Sequence, residues 1–189
     1  KVINMSFGKQ FSPHSDWVRD AIAYAAEKDV LIVAAAGNDG KNTDQVNYFP
    51  NDQINNGSEV SNTFLKVGAN EPRYGSTLVA GYSNYGKNTV DVFAPGSQIY
   101  STYPKNTYEF AQGTSMASPL VAGVAALIFS QYPKLSAAQV KQILMESGLS
   151  INKKVSLENG EVVSFSELSK SGKIVNAYNA LIMASKMSK

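Results

Sequence analysis

The sequence predicts an α/β domain with a doubly wound, mostly parallel sheet and helices on both of its faces. An apolar strand at residues 2–5, a helical repeat at residues 15–28 and an apolar run at residues 30–36 follow one another in the chain. The run at 30–36 is apolar throughout, as in strands that are covered on both faces. A strand, a helix and a strand in that order indicate a parallel pair with a right-handed crossover.

The composition is that of an ordinary globular domain. The chain has 189 residues, 43% hydrophobic and 17% charged, with a formal charge of +2. We expect one domain over residues 1–189, and the balanced charge argues against a nucleic-acid partner. The absence of cysteine excludes disulfides and thiolate metal sites. The longest apolar stretch, residues 116–129, is too short for a bilayer, so we expect no membrane span.

The chain opens inside a strand pattern, because KVINM reads as strand interior from its first residue. Natural termini usually carry a polar lead-in. We therefore expect residues 1–189 to be a partial domain, truncated at the N-terminus.

The first helix is expected at residues 15–28, with Ser15 as its N-cap. A long polar loop is expected at residues 37–62, because the segment is rich in Asn, Asp and Gly. Further strands are predicted at residues 64–68, 90–94 and 99–103, and a hairpin arm at residues 108–111.

The second half of the chain is predicted to be mainly helical. Residues 116–131 are apolar almost all round, so this segment should be a buried helix and not a surface one. Ser136 and Gln139 form a capping box for a helix that ends near Gly148. Residues 151–173 are expected to be a variable loop or hairpin, and Asn176 should cap a last helix ending near Met187.

Three loops carry residues suited to chemistry. The loops at residues 6–8 and 37–39 both follow parallel strands at their carboxyl ends, where ligands bind in open sheets. The third loop, GTSMASP at residues 113–119, begins the buried helix. Unpaired backbone N–H groups at a helix start can stabilise the oxyanion that forms when a nearby hydroxyl attacks a carbonyl.

The string GTSMASPLVAG at residues 113–123 resembles the nucleophile motif of the subtilisin-like serine peptidases. The resemblance continues, in the family's order, through NMSFG, AAGNDG, VGA, YSNYG and DVFAPG, which begin at residues 4, 35, 67, 82 and 91. The segment GKIVNA at residues 172–177 resembles the family's last strand-to-helix step.

The resemblance implies a serine endopeptidase that acts on polypeptides through an acyl-enzyme. Ser115 matches the nucleophile, and Asn38 matches the amide donor of the oxyanion hole, with the Ser115 backbone N–H as its partner. The substrate-binding positions that match are Ser6, Phe7 and Gly8 along the strand-like edge, Ala35, Ala36 and Gly37 in one wall of the specificity pocket, and Asp39, where the pocket's charge is set. Secretion or a cell-envelope location is implied in the same way.

The chain departs from the family pattern in its catalytic base. Its only histidine, His14, lacks the family's motif around it and follows the substrate-binding edge, so we interpret it as a surface residue. No aspartate has the family's context either. Since the family order is Asp, His, then Ser, both belong upstream, and residues 1–189 alone should be inactive.

Other interpretations stay open for several residues. Ser115 taken alone is an ordinary helix cap, Asn38 an ordinary left-handed turn residue, and Phe7 core packing. Asp39 is hypothesised to favour basic or polar residues at the cleaved position.

Two other functions share some of these features. The alternative function is a non-catalytic, peptide-binding relative of the same fold. An esterase of the α/β-hydrolase type is set aside, because its nucleophile motif needs glycine where Ala117 stands and its histidine should follow the serine.

No cofactor is required for the expected chemistry. The family resemblance makes calcium possible in the Asn- and Asp-rich segment 38–52, although the spacing does not match an EF-hand and a solvated loop is the other interpretation. The sequence makes no prediction of oligomeric state.

Overall fold

A computed structural model describes residues 1–53 and 57–188, so part of the predicted loop at 37–62 lies outside the described residues. Its centre is a six-stranded sheet. In spatial order the strands are β1 (Val2–Met5), β2 (Leu31–Ala35), β3 (Phe64–Asn70), β4 (Val92–Pro95), β10 (Lys173–Ile174) and β7 (Leu149–Ser150). The first five run parallel and β7 is antiparallel, so the predicted doubly wound, mostly parallel sheet is confirmed.

Four helices cover the two faces of the sheet: α1 (Ser15–Glu27), α2 (Thr114–Gln131), α3 (Ala137–Glu146) and α4 (Ala177–Met187). Leu31 and Val33 of β2 point into a core shared with α2, α3 and α4. The alternate residues Ile32 and Ala34 pack instead with Ile22 of α1. This alternation explains why β2 is apolar at every position, since both of its faces are buried.

Two hairpins lie outside the main sheet. The first pairs β5 (Ile99–Tyr103) with β6 (Thr107–Ala111), and the second pairs β8 (Lys154–Ser156) with β9 (Val162–Ser164). The second lies within residues 151–173 and is followed by a 3-10 turn at Phe165–Glu167. The predicted hairpins are therefore confirmed.

The two predicted helix caps in the C-terminal half are confirmed. The Ser136 hydroxyl accepts from the Gln139 N–H while the Gln139 side chain accepts from the Ser136 N–H, which completes the capping box. The Asn176 side chain accepts from the Asn179 N–H at the start of α4.

The prediction of Ser15 as an N-cap is wrong. Ser15 is already the first helical residue of α1, and the capping position is His14, which makes no side-chain capping bond. The His14 ring instead stacks on Trp17, with ring centroids 4.4 Å apart. His14 is the only histidine in the sequence, and it is exposed, as predicted.

The prediction of α2 as a buried helix holds for one of its sides only. Leu120 and Leu127 are each 41% exposed. The helix begins at Thr114, two residues before the predicted start. By length and apolar composition alone, its 18 residues would suffice to cross a bilayer. Its other side packs against strands β1 to β4 and helices α3 and α4, as in the core helix of an α/β domain.

Candidate active site

Ser115 is the second residue of α2 and lies half-buried beside the substrate-edge segment. Its Oγ donates to the Ser6 carbonyl oxygen at 3.2 Å, and the Ser6 Oγ donates to the Ser115 carbonyl oxygen at 2.8 Å. Because Ser115 stands in the first turn of α2, its backbone N–H has no acceptor within the helix. A hydroxyl and an unpaired N–H are thus presented together at a positive helix end.

Gly113 stands at the capping position of α2 with φ of 140°, a region that favours glycine. An ideal Cβ on Gly113 would lie 3.3 Å from Nδ2 of Asn38. The glycine therefore lets the Asn38 amide approach the start of the helix closely.

The Asn38 amide is held by Thr114, the residue before Ser115. Its Oδ1 accepts from the Thr114 backbone N–H and from the Thr114 hydroxyl, both at 2.9 Å. Since the oxygen is used in this way, the amide NH₂ is the end that remains for a substrate oxygen. The structure thus brings Asn38 and Ser115 to the same end of α2.

Thr114 was not recognised as a functional residue from the sequence, although it directly precedes the candidate nucleophile. Its side chain is fully buried, and its hydroxyl also accepts from the Gly37 N–H at 3.0 Å. The Thr114 hydroxyl therefore joins the start of α2 to Gly37 and Asn38, in the loop that follows β2.

Asn84 is a second residue that sequence reasoning missed, although the YSNYG string that contains it was noted. It is fully buried, and its Oδ1 accepts from the backbone N–H groups of Asp39 and Lys41 at 3.1 and 2.9 Å. Its Nδ2 donates to the Ala36 carbonyl at 3.0 Å. Asn84 therefore fixes the loop that carries Asn38.

The predicted substrate edge lies open to solvent. Phe7 is 63% exposed, so the core-packing interpretation does not hold. Phe7 and Gly8 line an apolar cavity of about 340 Å³ together with Val18, Phe49 and Pro50. A second cavity, of about 450 Å³, adjoins Ser115 between α2 and the β5–β6 hairpin.

The second predicted pocket wall is largely buried. The side chains of Ala35 and Ala36 are in the core, so only their backbone can face a substrate. Gly37, with φ of 103°, follows them. Asp39 is exposed and accepts from the Gln10 side chain at 2.8 Å.

Six charged side chains form what we call the buried ion cluster, on the side of the sheet near the loop at 37–62: Asp52, Glu59, Lys66, Asp91, Lys141 and Lys170. One Asp91 oxygen accepts from the Lys66 backbone N–H at 2.7 Å. The other lies 3.6 Å from Lys141 and 3.3 Å from Lys170, so Asp91 serves the cluster and makes no contact with Ser115.

Two members of the buried ion cluster have strongly shifted pKa values. Burial, reinforced by the charge of Glu59, raises the pKa of Asp52 to about 7. Burial lowers the pKa of Lys66 to about 8, and the Lys66 ammonium donates to the Tyr48 carbonyl at 3.4 Å. The cluster therefore anchors the middle of the loop at 37–62 to β3.

Two carboxylates of segment 38–52, where the family resemblance makes calcium possible, lie in separate sets of contacts. Asp44 accepts from the backbone N–H of Asn88 and from the Thr89 hydroxyl, whereas Asp52 lies in the buried ion cluster. Among the residues that the structure describes, no three His, Cys, Asp or Glu side chains are grouped to hold a metal.

Comparison with known proteins identifies the family. A sequence model described as the subtilase family matches residues 1–171. The chain belongs to the subtilase family, a family of serine peptidases. This subtilase chain is 39% identical to Subtilisin DY of Bacillus licheniformis over 151 residues, which are 79% of the chain and 50% of that protein.

Two further similarities place the chain among the subtilases. It is 38% identical over 161 residues to the cell wall-associated protease of Bacillus subtilis, covering 85% of the chain and 16% of that protein. A solved protease from Pseudoalteromonas arctica superposes with a TM-score of 0.73 at 33% identity, covering 97% of the chain and 51% of the other. The chain thus spans about half the length of the relatives that it matches, or less.

Proposed function

We propose that this subtilase chain forms the nucleophile-bearing part of a serine endopeptidase, with Ser115 as nucleophile and Asn38 as oxyanion donor. The observation that carries the proposal is the pair of hydrogen bonds from Thr114 to Asn38 Oδ1. They leave the Asn38 NH₂ group at the helix end that presents the Ser115 hydroxyl.

The substrate backbone lies along residues 6–8 as an added strand. The Ser115 Oγ forms a bond to the scissile carbonyl carbon as its proton passes to a base. The oxygen of that carbonyl gains negative charge, which the Asn38 NH₂ and the Ser115 N–H stabilise. The C–N bond then breaks, the amine leaves with the proton, and water hydrolyses the acyl-serine.

The base and its carboxylate partner come, in this proposal, from polypeptide outside residues 1–189. His14 does not serve, because it stacks on Trp17 and the Ser115 hydroxyl donates to Ser6. The outer edge of β1 has no neighbouring strand within the described sheet, and Ile3 of β1 is 44% exposed. We assign this edge, together with the exposed Leu120 and Leu127 of α2, to contact with the remainder of the catalytic domain.

A location outside the cytoplasm, in secretions or the cell envelope, is part of the same proposal. Its support is the similarity to a cell wall-associated protease. Fractionation of the source cells, with detection of the full-length protein in medium and wall fractions, tests it.

Peptide hydrolysis by the full-length protein tests the catalytic proposal. Ser115→Ala should lower kcat by about a millionfold, the loss measured in subtilisin itself for its nucleophile. The matched control is Ser130→Ala, an exposed serine on the same helix, which should keep full activity. Residues 1–189 produced alone should not turn over peptide.

The competing function is peptide binding without cleavage. It is favoured by the Ser115 hydroxyl, which has a carbonyl oxygen as its hydrogen-bond partner where a nucleophile needs a base. Full-length protein that binds peptides with unchanged affinity after Ser115→Ala, and hydrolyses none, would support this function and exclude the first.

A further inference from the structure

The side chain of Tyr48 lies between the two predicted walls of the substrate pocket. An ideal Cβ on Gly8 would lie 2.5 Å from Cε1 of Tyr48, and one on Gly37 would lie 2.5 Å from the same atom. The two glycines therefore face each other across a single aromatic ring. Neither could carry a side chain unless that ring moved.

The backbone on both sides of Tyr48 is firmly anchored. Phe49 exchanges two hydrogen bonds with Lys9, N–H to carbonyl in each direction, at 2.8 and 2.9 Å. The Tyr48 carbonyl accepts from the ammonium of Lys66, a member of the buried ion cluster, at 3.4 Å. The ring therefore projects from a segment tied both to the substrate edge and to β3.

The Tyr48 side chain is partly buried, and Gln10, Lys41 and Asn84 lie beside it. Burial raises the pKa of the Tyr48 hydroxyl, and the nearby charge of Asp39 raises it further. The blocking role of the ring rests on its place beside Gly8 and Gly37. Asp39 is already hydrogen-bonded to Gln10.

We infer that Tyr48 closes the primary specificity pocket and restricts the residue before the cleaved bond to small side chains such as Gly, Ala and Ser. The inference rests on the proposed function, which lays the substrate backbone along residues 6–8. The Tyr48 ring takes up the space between Gly8 and Gly37 that a large substrate side chain would need. A basic side chain would also have to compete with Gln10 for Asp39.

Binding measurements separate this inference from catalysis. Full-length protein carrying Ser115→Ala is titrated calorimetrically with peptides that differ only at the residue before the predicted bond, Ala, Phe or Lys. The Ala peptide should bind at least about tenfold more tightly than the Phe or Lys peptide. Adding Tyr48→Ala should increase the affinity for the Phe peptide by about 100-fold relative to the affinity for the Ala peptide.

Two further variants guard against a merely structural effect. Tyr48→Phe keeps the ring and should keep the preference for Ala, whereas Tyr178→Ala, at an exposed tyrosine of α4, should change nothing. Equal affinity for Ala and Phe peptides in the Tyr48-containing protein, or no binding of any peptide, would overturn the inference. A preference for Lys that Asp39→Ala abolishes would overturn it too and assign specificity to Asp39.

The same peptides presented to the catalytically competent full-length protein report on the proposed function. Selective binding without hydrolysis would leave the Tyr48 inference standing and reject the peptidase. Hydrolysis with no preference among the peptides would support the peptidase and reject the Tyr48 inference.

Discussion

Oδ1 of Asn38 accepts hydrogen bonds from both the backbone N–H and the hydroxyl of Thr114. The two residues are 76 positions apart in the chain and join the end of β2 to the start of α2. This contact orients the Asn38 amide so that its NH₂ group is free for a substrate oxygen. It connects the oxyanion donor to the nucleophile through one intervening residue.

Replacing Asn38 with Ala in the full-length enzyme should lower kcat by about 10²- to 10³-fold with little change in KM. The range is that measured in subtilisin itself for its side-chain oxyanion donor, and it reflects stabilisation that develops only in the transition state. Steady-state kinetics on a peptide substrate checks it, with Asn62→Ala, an exposed asparagine before β3, as control. A rise in KM with unchanged kcat would mean that Asn38 binds substrate and takes no part in the chemistry.

Thr114→Val should lower kcat by about ten- to a hundredfold, because Asn38 keeps its bond from the Thr114 backbone N–H but loses the one from the hydroxyl, and the oxyanion donor is held less precisely. Thr114→Ser restores the hydroxyl and should recover most of the activity. The buried Gly37 N–H also loses its acceptor, which should reduce the free energy of unfolding by about 1–3 kcal/mol. If Val and Ser variants are equally active, the hydroxyl has no positioning role.

Asn84→Ala should destabilise the full-length protein by about 1–3 kcal/mol, because it leaves the buried Ala36 carbonyl and two part-buried backbone N–H groups without their partner. Urea unfolding followed by fluorescence measures the change. Asn152→Ala removes an exposed amide and should leave the midpoint unaltered. Equal midpoints for the two variants would show that the loop at residues 37–41 does not depend on Asn84.

The raised pKa of Asp52 predicts a pH dependence of stability. Between the ordinary value of 3.8 and the folded value of about 7, the folded state binds more protons than the unfolded state. The contribution of Asp52 is therefore fully present below pH 3.8 and is lost as the pH rises to about 7. Asp52→Asn should flatten the decline in the free energy of unfolding over this window, measured in urea at several pH values.

The control for this pH experiment is Asp20→Asn, at an exposed position of α1. Lys66 acts in a separate window, because its lowered pKa makes the folded state bind fewer protons than the unfolded state between about 8 and 10.5. Its contribution to stability therefore rises with pH there. The same slope between pH 4 and 7 in the Asp52→Asn variant and the parent protein would contradict the buried ion cluster as described.

Local patterns in the sequence predicted what depends on neighbouring residues. The apolar run at β2 and the capping box of Ser136 and Gln139 are both set within a few positions, and both are found in the structure. The parallel direction of β1 and β2 followed from the crossover rule, and the two strands are paired in the structure. The cap at Ser15 failed because a serine can equally begin the helix, and the choice depends on the preceding turn.

What the sequence did not predict depends on contacts between distant segments. Asn84 reaches Lys41, and Tyr48 reaches both Gly8 and Gly37, through folding of a loop whose composition indicated only that it was polar. The exposed side of α2 was missed for a related reason. Apolar residues on all sides of a helix indicate that the helix is buried. They do not indicate whether residues 1–189 or other polypeptide packs against each side.

Covalent trapping with a fluorophosphonate tests the central claim that the Ser115 hydroxyl and the Asn38 amide form one reactive centre. The full-length protein is exposed to the reagent, and the modified residue is located by mass spectrometry of its peptides. The account predicts a single adduct on Ser115, formed much more slowly in the Asn38→Ala variant and absent in Ser115→Ala. An unmodified Ser115 in folded full-length protein, or an adduct that forms at the same rate without the Asn38 amide, would contradict it.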